Sequence, residues 1–549
     1  MKIKSRYVLT LVLVTGLAFS FTRPAERYFE IAKNLDIFAS LFREVNNTYV
    51  DEINPNTLIK TGIDAMLESL DPYTNYIPED MIEDFRTVNT GQYGGIGAIT
   101  REIGNRTVVT MVMGGYPAEK GGLKIGDEVL KIDQVDLSKI SREAAGHLMK
   151  GEVGKPVTLT VKRYGVDQPI LLSFKREKIK INNVPYYSMM NESIGYIRLT
   201  EFTPEAGKNV KQALLKLKEQ NAKGIVLDMR GNPGGLLMEA VNVCNVFIPR
   251  AKKVVITKGK IPEQNTTYET LDNPVDIEIP LVVLINRGSA SAAEIVAGTL
   301  QDYDRAVIIG ERSFGKGLVQ VTRPLSYNAQ LKVTTAKYYT PSGRCIQVLD
   351  YSHRRDDGSV ASVPDSIKQA FKTTNGRIVY DGGGIEPDIA VEQPEVHPVA
   401  QTIYNNGFIF DYATRYANTN KAPDNPRTFT LSDQEYQQFI TWMKDKNYDY
   451  TAALNDKLVT FQDLAKRERY YSDIKPQLDH LQSVITENRK KELLLYKDQI
   501  KMMLEEDILL RYFNERGNIE AGFKYDRNLK KAIDVLSNPT QYKKTLNIP

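Results

Sequence analysis

The chain has 549 residues, enough for about three or four domains and at least one substantial core. Its 42% hydrophobic and 26% charged content excludes a disordered or low-complexity chain. With 72 basic against 68 acidic residues and no Lys/Arg stripe, the charge pattern argues against a nucleic-acid partner.

Residues 1–26 open with Lys2, Lys4 and Arg6 ahead of an apolar run, Tyr7–Phe21, with Pro24 beyond it. As a helix that run would span about 22 Å, short of the ~30 Å hydrocarbon core. It reads as an export signal or a short retained membrane anchor, with a buried helix as a third alternative. No small-x-small cleavage site stands near Phe21, which keeps the anchor reading open. The expected location is the periplasm or cell envelope, tethered to the inner membrane in the anchor case. Cys244 and Cys345 are the only cysteines, and Cys244 lies in an apolar helical pattern, so no disulfide scaffold is indicated.

Residues 27–90 carry apolar residues at helical spacing, as in IFASLFREV and LIKTGIDAMLESL, the latter ending at Asp71-Pro72. Residues 91–175 change to short β-type runs divided by glycine, with one helical segment, SREAAGHLMKG, before a last strand, PVTLTVK. A small, partly open β-barrel without a ligand would suit this pattern. The crowded glycines of YGGIGA also leave successive backbone amides able to receive a carboxylate.

Residues 176–394 alternate buried-type strands (GYIRLTEF, GIVLDMR, LVVLIN, AVIIG) with helices, the mark of an α/β fold with a covered sheet. Beyond Pro394, residues 395–549 are helical and charged, with a Ser432–Glu435 cap signal. NRKKELLLYKDQIKMMLEEDILLRYF reads as one amphipathic helix, beside which ERGNIEAGFKYDRNLKKAIDVL could pack.

The chemistry concentrates at 281–320. Ser291 follows an apolar strand and opens a helix whose third residue is Glu294, the spacing of a capping box. Such a serine either caps the helix, for about 1 kcal/mol, or acts as a nucleophile whose oxyanion the helix amides would favour. Small neighbours, Ala290 and Ala292, leave room for a substrate backbone, and the Ala292 amide could donate to the anion. None of the four histidines (His147, His353, His397, His480) falls in an apolar strand–turn–helix segment. The available base is therefore Lys316, in SFGKGLVQ, where Phe314, Leu318 and Val319 could remove water and lower its pKa. A solvated surface lysine is the plain alternative. Gly234 or Gly235, in the turn DMRGNPGG, could supply a second oxyanion donor, while Asp228 and Arg230 could hold that turn as an ion pair.

These motifs (GSASAAEIVAGTLQD at 288–302, GERSFGKGLVQ at 310–320, LKVTTAKYYTPSGR at 331–344 and GGIEPDI at 383–389) resemble the carboxyl-terminal processing, tail-specific proteases of peptidase family S41. The likeness covers about residues 30–390. It implies a multidomain α/β serine-protease core with a PDZ domain, flanked by helical N- and C-terminal regions. It places the nucleophile on Ser291 rather than Ser289, the base on Lys316, a supporting glutamine on Gln320 and an associated aspartate on Asp302. The oxyanion donors fall on Ala292 and a glycine of NPGG, and tail binding on Gly95, Ile96 and Gly97, with an apolar groove around Ile96 and Ile99. The usual SASASE reads SASAAE here, Ala293 replacing a serine that is not the nucleophile. The implied activity is a serine endopeptidase acting through an acyl-enzyme on proteins with free, apolar C-termini, with no metal or cofactor. A regulatory or adaptor protein and a homodimer are further expected partners. Two rivals stay open: a PDZ-based binding scaffold with an idle core, and a cytosolic peptidase that degrades damaged proteins.

Overall fold

The computed structural model describes residues 28–140, 142–355, 359–446, 448 and 453–549; the run Tyr7–Phe21 lies outside them. No helix among the described residues is long and apolar enough to cross a membrane. The chain divides into two compact units, residues 1–76 with 322–333, and residues 77–321 with 334–549.

In the first unit, α1 covers 28–48 and α2 runs Pro55–Glu68. Asn54 caps α2 by accepting the Asn56 and Thr57 amides, and Pro55 fills the first position, where an amide would lack a partner anyway. Buried Asp71 takes the Tyr73 and Thr74 amides at 2.8 Å each and so fixes the following turn. The expected helical region continues past this unit. Helix α3 (Ile82–Thr90) belongs to the second, where its C-cap Gly91 (φ +63°) sits so close to Thr203 that a Cβ would lie 2.9 Å from the Thr203 Cβ.

Strand β1 (Gln92–Gly95) opens the next module and pairs antiparallel with β7 (Glu177–Lys180), so both ends of the module leave side by side. Between them β2 (Ala98–Ile103), β3 (Arg106–Val112), β4 (Glu128–Ile132), β5 (Pro156–Lys162) and β6 (Ile170–Lys175) form an antiparallel sheet in that order. Strand β2 lies on its edge. Helix α4 (Arg142–Met149) precedes β5.

The core sheet runs β8 (Tyr186–Met189), β9 (Ile194–Arg198), β10 (Gly224–Asp228), β11 (Leu281–Ile285), β12 (Val307–Gly310) and β13 (Ile389–Ala390). It is parallel from β9 onward. Every residue of β10, β11 and β12 is buried, which explains their unbroken apolar sequences: both faces are covered. Helices α5 (Ala206–Glu219), α6 (Leu237–Phe247) and α7 (Ala292–Asp302) contribute to the core on one face.

The C-terminal region contains α8 (Pro398–Asn405), α9 (Phe408–Thr419), α10 (Asp433–Met443), α11 (Ala453–Arg467), α12 (Tyr471–Leu495) and α13 (Lys497–Gly522). The Ser432–Glu435 capping box forms as expected. The stretch read as one amphipathic helix is divided at Tyr496, whose ring stacks on His397 at 3.5 Å, and α13 is broken again at Asn514 (φ 53°, ψ −150°). Phe410 of α9 enters the apolar core of the 92–180 module, and Arg106 forms an ion pair with Asp411 at 2.9 Å, so that module is docked on the helices.

Helix α14 (Arg527–Leu536) does not simply lie beside α13. Its Leu529, Ala532 and Val535 pack with Val226, Val282, Leu284, Val307 and Ile309 and cover the second face of the core sheet. Burying Leu529 and Val535 stabilises the fold by about 1.5–3 kcal/mol each. The Tyr542 hydroxyl, on α15 (Pro539–Thr545), accepts the Leu281 amide at 3.0 Å.

Candidate active site

The turn after β11 is stitched to the turn after β10. Asn286 Oδ1 accepts the Gly231 amide at 2.8 Å and the Gly288 amide at 3.0 Å, and the Ala290 amide donates to the Asn232 carbonyl at 2.9 Å. Ser289 is fully buried; its hydroxyl accepts the Asn286 amide (3.0 Å) and donates to the Met229 carbonyl (2.8 Å). It is a staple between turns.

Ser291 is partly exposed and has φ 55°, ψ −114°, an unfavourable backbone for a residue with a Cβ. The NPGG turn lies directly against it. A Cβ on Gly234 would stand 2.8 Å from the Ser291 Cβ and 3.0 Å from the Ala292 nitrogen, so only glycine fits there. The Ala292 amide, in the first turn of α7, has no protein acceptor among the described residues. Of the two candidate glycines, Gly234 is committed: its amide donates to Asn232 Oδ1 at 2.9 Å. The Gly235 amide has no such bond among the described residues, and its backbone pairs with Phe202 on the other side.

Glu294 is fully buried and joins the serine to the lysine loop. Together with Ser291 it has the capping-box arrangement, its carboxylate taking the Ser291 amide at 2.8 Å, while its own amide donates to the Ser291 carbonyl at 2.9 Å. The same carboxylate accepts from Ser313 Oγ (2.5 Å), the Gly315 amide (2.7 Å) and the Lys316 amide (3.0 Å). Burial pushes its carboxyl up to about 7, against the opposing pull of those four donors. Tyr338, 1% exposed, adds a second tie: its hydroxyl lies 3.2 Å from the Ser291 carbonyl and donates to the Lys316 carbonyl. The Phe314 amide donates to the Ser289 carbonyl at 3.0 Å, and the Gly317 amide to Gln347 Oε1 at 2.7 Å. Every peptide around Lys316 is therefore held, and Lys316 itself is partly exposed.

Gln320, on the strand Leu318–Pro324, donates to Thr334 Oγ1 at 3.1 Å. Asp302 is not brought to the serine. It ends α7, eleven residues and about 16 Å along the axis from Ser291. There its carboxylate pairs with buried Arg344 (2.9 Å) and accepts the Ser342 amide (2.9 Å), so it holds the Pro-Ser-Gly turn. Behind the NPGG turn, Asp228 contacts Arg198 (2.8 Å), Arg230 (2.6 Å) and the Tyr196 hydroxyl (2.7 Å). Burial alone would raise its carboxyl, but Arg230 and Arg198 hold it well below the usual range. Arg230 reaches on to Asp526, the N-cap of α14. The ion pair expected at this turn is thus part of a link to the C-terminal helices.

In the 92–180 module, the Ile96 and Gly97 carbonyls accept the Ala118 and Met113 amides at 2.8 Å each. The amides of Ile96 and Gly97 donate to no acceptor among the described residues. Gly97 (φ +77°) packs on Tyr116, whose Cβ would lie 2.5 Å from an added Cβ. The Ile96 side chain is a core residue, 2% exposed, and does not line a groove; Ile99, 39% exposed, is available to one.

Glu294 and Tyr338 were not singled out by sequence reasoning. The Ser291–Glu294 spacing was visible only as a helix cap, and the remaining partners of both residues are mostly backbone groups, which leave no sequence signature.

The Peptidase family S41 profile matches residues 193–351, the PDZ domain profile residues 87–162, and the C-terminal helical domain of PDZ-proteases residues 399–536. The carboxy-terminal-processing protease of Bartonella bacilliformis is 37% identical over 366 residues, 66% of this chain and 76% of that protein. Among solved structures, a photosystem II D1 C-terminal processing protease is 27% identical, covering 65% of this chain and 92% of its own, with a TM-score of 0.35. The PDZ domain of a Vibrio cholerae carboxy-terminal protease, solved in complex with a peptide, is 27% identical over 16% of this chain and 99% of its own, with a TM-score of 0.16. On the extent and identity of the Bartonella match, the chain belongs to the carboxy-terminal-processing proteases, serine proteases of peptidase family S41.

Proposed function

We propose that the chain is an exported endopeptidase that captures proteins by their C-terminal tails and cleaves them with Ser291 and Lys316. The observation that carries this reading is the double tie, through the Glu294 carboxylate and the Tyr338 hydroxyl, between the backbones of those two residues. Neutral Lys316 takes the Ser291 proton as Oγ attacks the scissile carbonyl. The carbonyl oxygen becomes an anion facing the Ala292 and Gly235 amides. Collapse breaks the C–N bond, Lys316 returns the proton to the leaving amine, and water hydrolyses the ester with Lys316 again as base. Gln320 supports the lysine through its strand; Asp302 has no part in the chemistry.

The tail carboxylate is received at the Gly95–Ile96–Gly97 loop by the open Ile96 and Gly97 amides, and the chain preceding it adds a strand to edge strand β2. An apolar last residue suits this groove. The division is residues 1–26 as signal or anchor, 27–90 helical, 91–175 PDZ, 176–394 protease core and 395–549 helical. Residues beyond 526 complete the core. Periplasmic or envelope location, a regulatory partner and a homodimer belong to the same reading.

The test compares two serines. Ser291→Ala should abolish cleavage of an unfolded protein with little change in stability. Ser289→Ala should retain cleavage while losing about 1–3 kcal/mol, because two buried backbone groups lose their partner. An active Ser291→Ala protein would overturn the assignment.

A further inference from the structure

A cleft of about 760 Å³ opens where the PDZ module, the protease core and α13 meet. Ile99, Met111 and Met113 form its apolar wall on the PDZ side. Tyr116, on which Gly97 of the tail-binding loop packs, lines the cleft. Glu201, also in the lining, is followed by Phe202, which pairs with Gly235 beside the serine turn. A polypeptide with its carboxylate at Gly95–Gly97 and its scissile bond at Ser291 would run along this space.

The charged residues lining the cleft are Lys180, Glu201 and Glu515. Lys180 is neutralised by Glu205. Neither the Glu201 nor the Glu515 carboxylate has a hydrogen bond or ion pair among the described residues. Arg198, the cation acting on Glu515, is committed to Asp228 at 2.8 Å. Burial raises both carboxyls above their ordinary value, with Arg198 opposing it at Glu515. Glu515 is delivered here by the break in α13, where Asn514 holds a backbone (φ 53°) that asparagine tolerates better than most residues. An uninterrupted helix would carry the next side chain elsewhere.

Two unpaired, partly desolvated carboxylates beside an apolar wall suit one kind of side chain: a long aliphatic stem ending in a cation. We infer that Glu201 and Glu515 are specificity-determining residues, selecting substrates with a lysine or arginine in the stretch between the captured tail and the scissile bond. This rests on the tail-capture reading above.

The experiment uses the whole protein and unstructured peptides of about 20 residues with a free apolar C-terminus. The cut is mapped by mass spectrometry, and one position in the intervening stretch is then varied among Lys, Ala and Glu. At low salt, kcat/KM should favour Lys over Glu by about tenfold, the size of one partly buried ion pair. Salt should shrink the ratio. Glu201→Gln and Glu515→Gln should each reduce it, the double variant should bring it near one, and Glu515→Lys should invert it. Thermal midpoints check folding; should the double variant not fold, the single variants and the salt series decide. A wild-type ratio within twofold at every position, or one that survives both Gln substitutions, overturns the inference. The same peptides with amidated ends test the underlying reading separately: equal cleavage of acid and amide defeats tail capture, whereas the Lys-to-Glu ratio is read within the free-acid series.

Discussion

Glu294→Gln keeps the shape of a side chain that accepts four hydrogen bonds and changes what it can accept. One carboxylate oxygen receives Ser313 Oγ and the Gly315 amide; the other receives the Ser291 and Lys316 amides. An amide offers one acceptor oxygen and one NH2. Its better orientation turns the NH2 toward Ser313, whose hydroxyl can rotate to accept, and leaves the Gly315 amide without a partner at about 1–3 kcal/mol. Against that stands relief from burying a charge, about 3 kcal/mol for a carboxyl lifted from 4.5 to about 7. Global stability at pH 8 should therefore change by less than about 2 kcal/mol. Cleavage should still fall tenfold or more, because the loop carrying Lys316 loses part of its tie to α7. The sign with pH follows from the raised carboxyl. Its stabilising contribution is fully present below 4.5 and is lost as pH rises through about 7. Acidification from pH 8 to 5 should thus stabilise wild type relative to Glu294→Gln. Denaturant unfolding at both pH values and cleavage kinetics on one preparation decide the matter. A variant as fast as wild type, or one destabilised by more than about 4 kcal/mol at pH 8, would refute the reasoning.

Lys316→Arg keeps the charge but not the ability to lose it, since guanidinium stays protonated to above pH ~12; cleavage should vanish at neutral pH, and near-normal turnover would exclude a neutral-amine base. Gly234→Ala places a methyl 2.8 Å from the Ser291 Cβ at a backbone of φ +101°, so turnover should be lost while the PDZ module still binds peptide, measured by calorimetry. Tyr338→Phe removes one hydroxyl between the Ser291 and Lys316 carbonyls; kcat should fall with KM nearly unchanged, and an unchanged kcat would assign that hydroxyl to the fold alone.

The strand–turn–helix at 281–302, the lysine loop and the module strands were legible because each is encoded locally, by periodicity and by glycines at turns. The break of the long C-terminal helix at Tyr496 was not, since its ring stacks on His397, 99 positions earlier in the chain. Nor was the position of α14, whose partners Val226 and Val282 lie some 250–300 residues upstream. Asp302 shows the limit of a shared motif. It shares a helix and a motif with Ser291, yet an eleven-residue helix separates its ends by more than any hydrogen bond can span. At the NPGG turn the choice between two glycines rested on which amide Asn232 occupies, a matter of side-chain direction that composition does not carry.

The cover that α14 provides for the core sheet has a consequence for biosynthesis. Until residues 527–546 have been translated, the apolar underside of β10, β11 and β12 lacks Leu529, Ala532 and Val535, and the Leu281 amide lacks the Tyr542 hydroxyl. Ser291 and Lys316 are made more than two hundred residues earlier, but the scaffold beneath them stays open through all of that interval. A product stopped short of α14 would leave the apolar side chains that Leu529, Ala532 and Val535 cover exposed to water.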